Sequence, residues 1–106
     1  MKEIALAVIN NYGVEHQQRK LQEEVFELQE AITTYELKEL VEYDIPLSEL
    51  VGSREHIIEE LGDVRFMLLQ FQAKYEITDE EIKEVMLFKG NRQTERIKYE
   101  NNRNFE

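Results

Sequence analysis

The sequence has no cysteine and no tryptophan, one proline and 4 glycines in 106 residues. Without Cys there is no disulfide, thiolate zinc site, iron–sulfur cluster or Cys nucleophile. No GxxxxGK[ST] phosphate loop occurs, and the only serines, Ser48 and Ser53, fall near a loop or a cap and make a poor case for a Ser triad. Neither histidine has a glutamate three residues before it: Gly13 precedes His16 and Ser53 precedes His56. A ferritin-like di-iron bundle, which needs Glu-x-x-His pairs, is therefore excluded. No apolar run approaches the ~20 residues of a membrane span. The opening MKEIALAVINNYG is too short and too interrupted in its apolar stretch for a signal peptide. A soluble, cytoplasmic protein with no membrane partner is the expectation. Positive charge is also scarce. Lys and Arg total 13 against 23 Asp and Glu, for a net charge of -10. That argues against a nucleic-acid polymer as partner. It favours a partner that is cationic or brings its own cations, such as a metal.

What is present is a helical pattern nearly throughout. Hydrophobic residues make up 42% of the chain, a normal share for a folded domain, and the length suits one domain spanning 1–106. Ile4, Leu6, Val8, Ile9 and Tyr12 predict a short helix over 2–12 that Gly13 stops. From about 15 to 43, Leu21, Val25, Leu28, Ile32 and Tyr35 recur at threes and fours, one face of a second helix. The stretch DIPLSELVG, 44–52, holds Pro46 and Gly52 and reads as a loop, with Ser53 as N-cap of a third helix. That helix carries Ile57, Leu61, Val64, Leu68 and Phe71 and breaks near Glu76. Thr78-Asp79-Glu80-Glu81 fits a capping box and opens a fourth helix. The polar tail, about 98–106, is expected to fray. The fold class is all-α, a small bundle of four to five helices. Phe26, Ile58, Met67 and Leu69 widen the apolar face beyond one stripe, which suggests that a second copy of the chain completes the bundle.

The most informative feature is an internal echo. Leu21-Gln22-Glu23-Glu24-Val25-Phe26-Glu27-Leu28 aligns with Ile57-Ile58-Glu59-Glu60-Leu61-Gly62-Asp63-Val64 at one fixed offset. Glu23 falls on Glu59, Glu24 on Glu60 and Glu27 on Asp63. A helix turns about 100° per residue, so Glu24 and Glu27 lie about 60° apart on one side of the second helix, and Glu60 and Asp63 do the same on the third; Glu24 and Glu60 border the apolar stripe. Packing the two stripes together brings four carboxylates to one seam. Crowded carboxylates repel and take up protons unless compensated, and hard divalent cations with oxygen ligands remove that penalty. Acidic pairs also decorate solvated helix faces in many acidic proteins; the recurrence at matched phase on two core helices sets this case apart. Gly62, between Glu60 and Asp63, costs about 1 kcal/mol in a helix interior and suggests room for a close helix approach or for a ligand.

EExxE on one helix followed by ExxD on a later one resembles the signature of the MazG-like all-α nucleoside triphosphate pyrophosphohydrolases. His16 to Leu28 is similar to the first half of that site, Ile58 to Leu68 to its second half, and Phe88 to Ile97 to the basic C-terminal segment of several members. The similarity runs from about 13 to 97. It implies Mg²⁺-dependent cleavage of a nucleoside triphosphate to the monophosphate and pyrophosphate, with Mn²⁺ a possible substitute, in nucleotide-pool house-cleaning. The family's metal ligands map onto Glu24, Glu27, Glu60 and Asp63; Glu23 matches the first acid and would orient water or adjust charge. Lys20, Lys89, Arg92 and Arg96 would contact phosphates, and the region of His16 and Gln17 would hold base or sugar. A homodimer or homotetramer is expected. The related phosphoribosyl-ATP pyrophosphohydrolases usually carry a His soon after the ExxD Asp, whereas VRFMLLQF follows Asp63 here. The competing expectation is a non-catalytic acidic helical interaction module, in which the paired acids bind no metal.

Overall fold

The computed structural model describes residues 1–40 and 45–103. Four helices follow one another: α1 (Lys2–Tyr12), α2 (Val14–Leu40), α3 (Leu47–Lys74) and α4 (Asp79–Arg103), with no strand among the described residues. The chain divides into two compact units, residues 1–75 with α1 to α3 and residues 76–106 with α4.

Local chemistry explains most boundaries. Gly13 has φ 91, a region that strains any residue with a side chain. Its N–H donates to the Ile9 carbonyl at 2.7 Å and its own carbonyl accepts from the Gln17 N–H at 3.1 Å, so one residue closes α1 and opens α2. Glu76, at φ 55, turns the chain out of α3. Before α4, the Thr78 hydroxyl accepts from the Glu81 N–H (3.1 Å) while the Glu81 carboxylate accepts from the Thr78 N–H (2.8 Å), which is the predicted capping box.

Two boundaries differ from the sequence expectation. α3 starts at Leu47, after Pro46, so most of the expected loop is helix and Ser53 is a buried interior residue rather than an N-cap. The Pro46 carbonyl accepts from the Glu49 N–H at 2.9 Å; a proline at a helix start gives up no intrahelical bond. Gly52 costs the helix only about 1 kcal/mol, too little to stop it. α4 likewise runs through Gly90 and on to Arg103, so the stretch from 98 to 103 is helical. The expected end of the second helix near 43, Asp44 and residues 104–106 lie outside the described residues.

α2 and α3 run antiparallel along a seven-residue repeat. On α2 the inward positions are Val14, Gln17, Leu21, Glu24, Leu28, Ala31, Tyr35 and Lys38, spaced alternately three and four. On α3 they are Leu50, Ser53, Ile57, Glu60, Val64, Met67 and Phe71. This alternating spacing is the seven-residue pattern of two helices packed side by side. Within these series Gln17, Glu24 and Ala31 on α2 and Ser53, Glu60 and Met67 on α3 are buried, and the remaining members are half-buried. α1 packs chiefly on α3 and buries Ala5 and Ile9 there. Val25, Ile32, Leu61 and Leu68, which the sequence places in the packing stripe, stay exposed.

Candidate metal centre

The α2–α3 seam buries polar side chains in three successive layers. At one end Gln17 donates from Nε2 to Gln70 Oε1 at 2.8 Å, and both side chains are buried. His16 Nδ1 lies 2.6 Å from Gln17 Oε1, and its ring stacks on Tyr12 with centroids 5.0 Å apart. At the other end Lys38 Nζ donates to Ser53 Oγ at 2.8 Å. Between them lie Glu24 and Glu60, each buried, each with its Oε2 enclosed and without a hydrogen-bond partner among the described residues.

The middle layer is therefore different in kind. Glu24, Glu60 and Asp63 each offer a carboxylate oxygen, and these oxygens lie within 4.8 Å of one another. Burial raises the pKa of Glu24 above the ordinary carboxylate value, and the charges of Glu27 and Asp63 push it further. Lys20, 3.3 Å from the Glu24 carboxylate, opposes that rise. Glu60 is raised for the same leading reason, burial, reinforced by Glu27 and Asp63. His56 Nδ1 is 3.9 Å from the Glu60 carboxylate, too long for a hydrogen bond. An enclosed carboxylate oxygen with no partner is costly. A small divalent cation with oxygen ligands fits this donor set, since it supplies charge and coordination to Glu24 and Glu60 together.

The other residues expected at the site fall in several places. Glu27 is exposed and lies outside the tight three-residue group, though its charge reaches both buried glutamates. Glu23 is exposed and turned to Lys20, 3.5 Å away. Lys20 is thereby engaged with two glutamates, and its own pKa is raised, chiefly by its hydrogen bond to Glu24. Gln17 is interior and spends its amide on Gln70 and His16, so it is not presented to a ligand. Lys89, Arg92 and Arg96 lie exposed on α4, sharing one continuous helix, with the Arg92 guanidinium 5.8 Å from the Phe88 ring centroid. Among the described residues of the α1–α3 unit, a Cβ on Gly62 would meet nothing within 4 Å, so α1 and α2 do not approach it closely. Sequence reasoning missed Gln70 and Lys38. The alternating three-four count from Leu21 and Glu24 reaches Gln17, Ala31 and Lys38, and would have identified the last; Gln70 lies beside the matching series on α3 and carries no such signal.

No protein-family model matches this chain, and no curated protein or solved structure matches it either.

Proposed function

We propose that this protein is a Mg²⁺-dependent nucleoside triphosphate pyrophosphohydrolase, releasing pyrophosphate and the nucleoside monophosphate. The observation that carries the cation is the pair of enclosed, unpartnered oxygens of Glu24 and Glu60 beside the Asp63 carboxylate. The choice of reaction rests on the resemblance of the EExxE and ExxD pattern to the MazG-like enzymes. Glu24, Glu60 and Asp63 would hold the ion, with Glu27 at the margin. When bound, Mg²⁺ neutralises phosphate charge and acidifies a water molecule. The chain's own contribution is positional. Two long helices locked in register fix the carboxylates in a partly enclosed layer, and phosphoryl chemistry needs little more than placement and charge. Lys20 sits beside Glu24 and Glu23 and balances their charge. A homo-oligomer belongs to the same reading, because Val25, Ile32, Leu61 and Leu68 leave an apolar surface on both helices.

The test is pyrophosphate release from a panel of canonical, deoxy and modified nucleoside triphosphates with and without Mg²⁺ or Mn²⁺. Metal-dependent release is expected, and Glu24→Gln or Asp63→Asn should abolish it while leaving helicity by circular dichroism unchanged. Release of orthophosphate would overturn the cleavage position. Folded protein that turns over nothing and binds no Mg²⁺ would favour the acidic interaction module.

A further inference from the structure

The acidic layer has a different neighbour on each side, and the two halves of the seam can be compared position by position. The offset that lays Glu24 on Glu60 also lays Gln17 on Ser53, Met67 on Ala31, Gln70 on Thr34 and His16 on Gly52. The burial pattern obeys the same offset: Gln17, Glu24 and Ala31 are buried on α2, and so are Ser53, Glu60 and Met67 on α3. α2 and α3 thus form two equivalent halves related through the acidic layer. The side chains filling them are unequal. One half has Gln17, Met67, Gln70 and His16, which pack and hydrogen-bond among themselves. The other has Ser53, Ala31, Thr34 and Gly52, each smaller than its counterpart.

The missing volume remains as a hollow of about 360 Å³ lined by these four residues together with Lys38, Glu49 and His56. A Cβ on Gly52 would meet nothing within 4 Å. His56 stands one turn from Glu60, so the hollow begins beside the acidic layer. Ser53 is one seven-residue repeat from Glu60, about 10 Å along the helix, so the hollow extends away from that layer along the seam. Its size falls in the range of small-molecule sites, and most of its lining side chains are polar or charged. Lys38 donates only, while Ser53 and Thr34 donate or accept.

We infer that this hollow receives the nucleoside of a metal-bound nucleoside triphosphate, with Lys38, Ser53 and Thr34 hydrogen-bonding the carbonyl and ring-nitrogen acceptors of its base. The inference rests on the pyrophosphohydrolase reading above. It places the nucleoside on the opposite side of the acidic layer from His16 and Gln17. At that end Gln17 is only 3% exposed and its amide is taken up by Gln70. Phosphates over the acidic layer and a base among Ser53, Thr34 and Lys38 are joined by the sugar along the seam.

The test compares two ligands by calorimetry in the presence of Mg²⁺: an α,β-methylene nucleoside triphosphate and inorganic tripolyphosphate. It uses the full chain and two variants that fill the hollow. Ala31→Met copies the residue at the equivalent position of the closed half. Gly52→Leu adds a helix-favouring side chain where there is open space, and decides the matter should Ala31→Met fail to fold. The expected result is a nucleotide Kd raised about tenfold or more, a loss of about 1.4 kcal/mol or more, with the tripolyphosphate Kd unchanged. Folded variants that bind the nucleotide as the wild type does would overturn the pocket assignment and leave the reaction class standing. An equal loss of both ligands would also overturn it, since the hollow would then not distinguish a nucleoside. A wild type that binds neither ligand with Mg²⁺ would overturn the pyrophosphohydrolase reading itself.

Discussion

The Gln17–Gln70 layer and the Glu24–Glu60 layer lie on the same seam, one helical repeat apart, and both bury polar side chains. The first is closed within the chain: Gln17 donates to Gln70, His16 sits against Gln17 Oε1, and Gln70 Nε2 lies 3.5 Å from Met67 Sδ. The second leaves an oxygen of each glutamate enclosed and unpartnered. A buried amide pair fixes register between two helices at modest cost, because each group finds its partner as the helices meet. Two buried carboxylates of like charge cannot serve each other in this way, since both are acceptors when ionised. The contrast separates a layer satisfied within the chain from one whose enclosed oxygens have no partner among the described residues.

Breaking the satisfied layer should cost most in stability. Gln17→Leu leaves Gln70 Oε1 buried without its donor, and we expect a loss of about 1–3 kcal/mol in urea unfolding, with little change in m-value. A smaller change, or none, would mean that water reaches the amide pair.

The acidic layer should respond with the opposite sign. Glu24 and Glu60 have pKa values raised above the ordinary carboxylate range, with burial as the first cause. Between the unfolded and the folded pKa the native chain binds more protons than the unfolded chain, so stability falls as pH rises through that window. The metal-free protein should therefore melt at a higher temperature in mild acid than at neutral pH. Glu60→Gln should raise the neutral-pH melting temperature and flatten the profile, and Mg²⁺ should restore wild-type stability at neutral pH with a much weaker effect on the variant. A pH-independent melting temperature between mild acid and neutrality would remove the physical case for a strained acidic layer.

The smallest effect is expected at Gly62. It sits within α3 with open space where a Cβ would stand, so Gly62→Ala should gain about 1 kcal/mol from helix propensity alone. A loss instead would show that the space beside Glu60 and Asp63 is occupied in solution.

Much of this was legible before folding. Apolar residues at threes and fours gave the helices, Gly13 and the Thr78–Glu81 capping box gave two boundaries, and the EExxE and ExxD echo marked Glu24, Glu60 and Asp63. The start of α3 was misjudged because Pro46 and Gly52 look like breakers. Proline is harmless at a helix start, and one glycine is outweighed by the packing of a long helix. The resemblance assigned Gln17 to the base or sugar, and its hydrogen bond to Gln70, far off in sequence, was not legible.

The choice of packing face shows why. Relative to the midline of Leu21 and Leu28, Glu24 and Val25 each lie about 50° away, on opposite sides. Hydrophobicity alone favours burying Val25, whereas the structure buries Glu24 and exposes Val25, with the same choice at Glu60 and Leu61. The sequence by itself determined the helices, their approximate ends and the matched acids on two of them, because these follow from residue-by-residue propensity and period. Only the tertiary structure decided which edge of each stripe turned inward, which polar side chains found partners, and which half of the seam stayed hollow. Those outcomes depend on the volumes and hydrogen-bonding groups that one helix presents to another, and residues such as Gln17 and Gln70 or Ala31 and Ser53 become neighbours only when α2 and α3 pack.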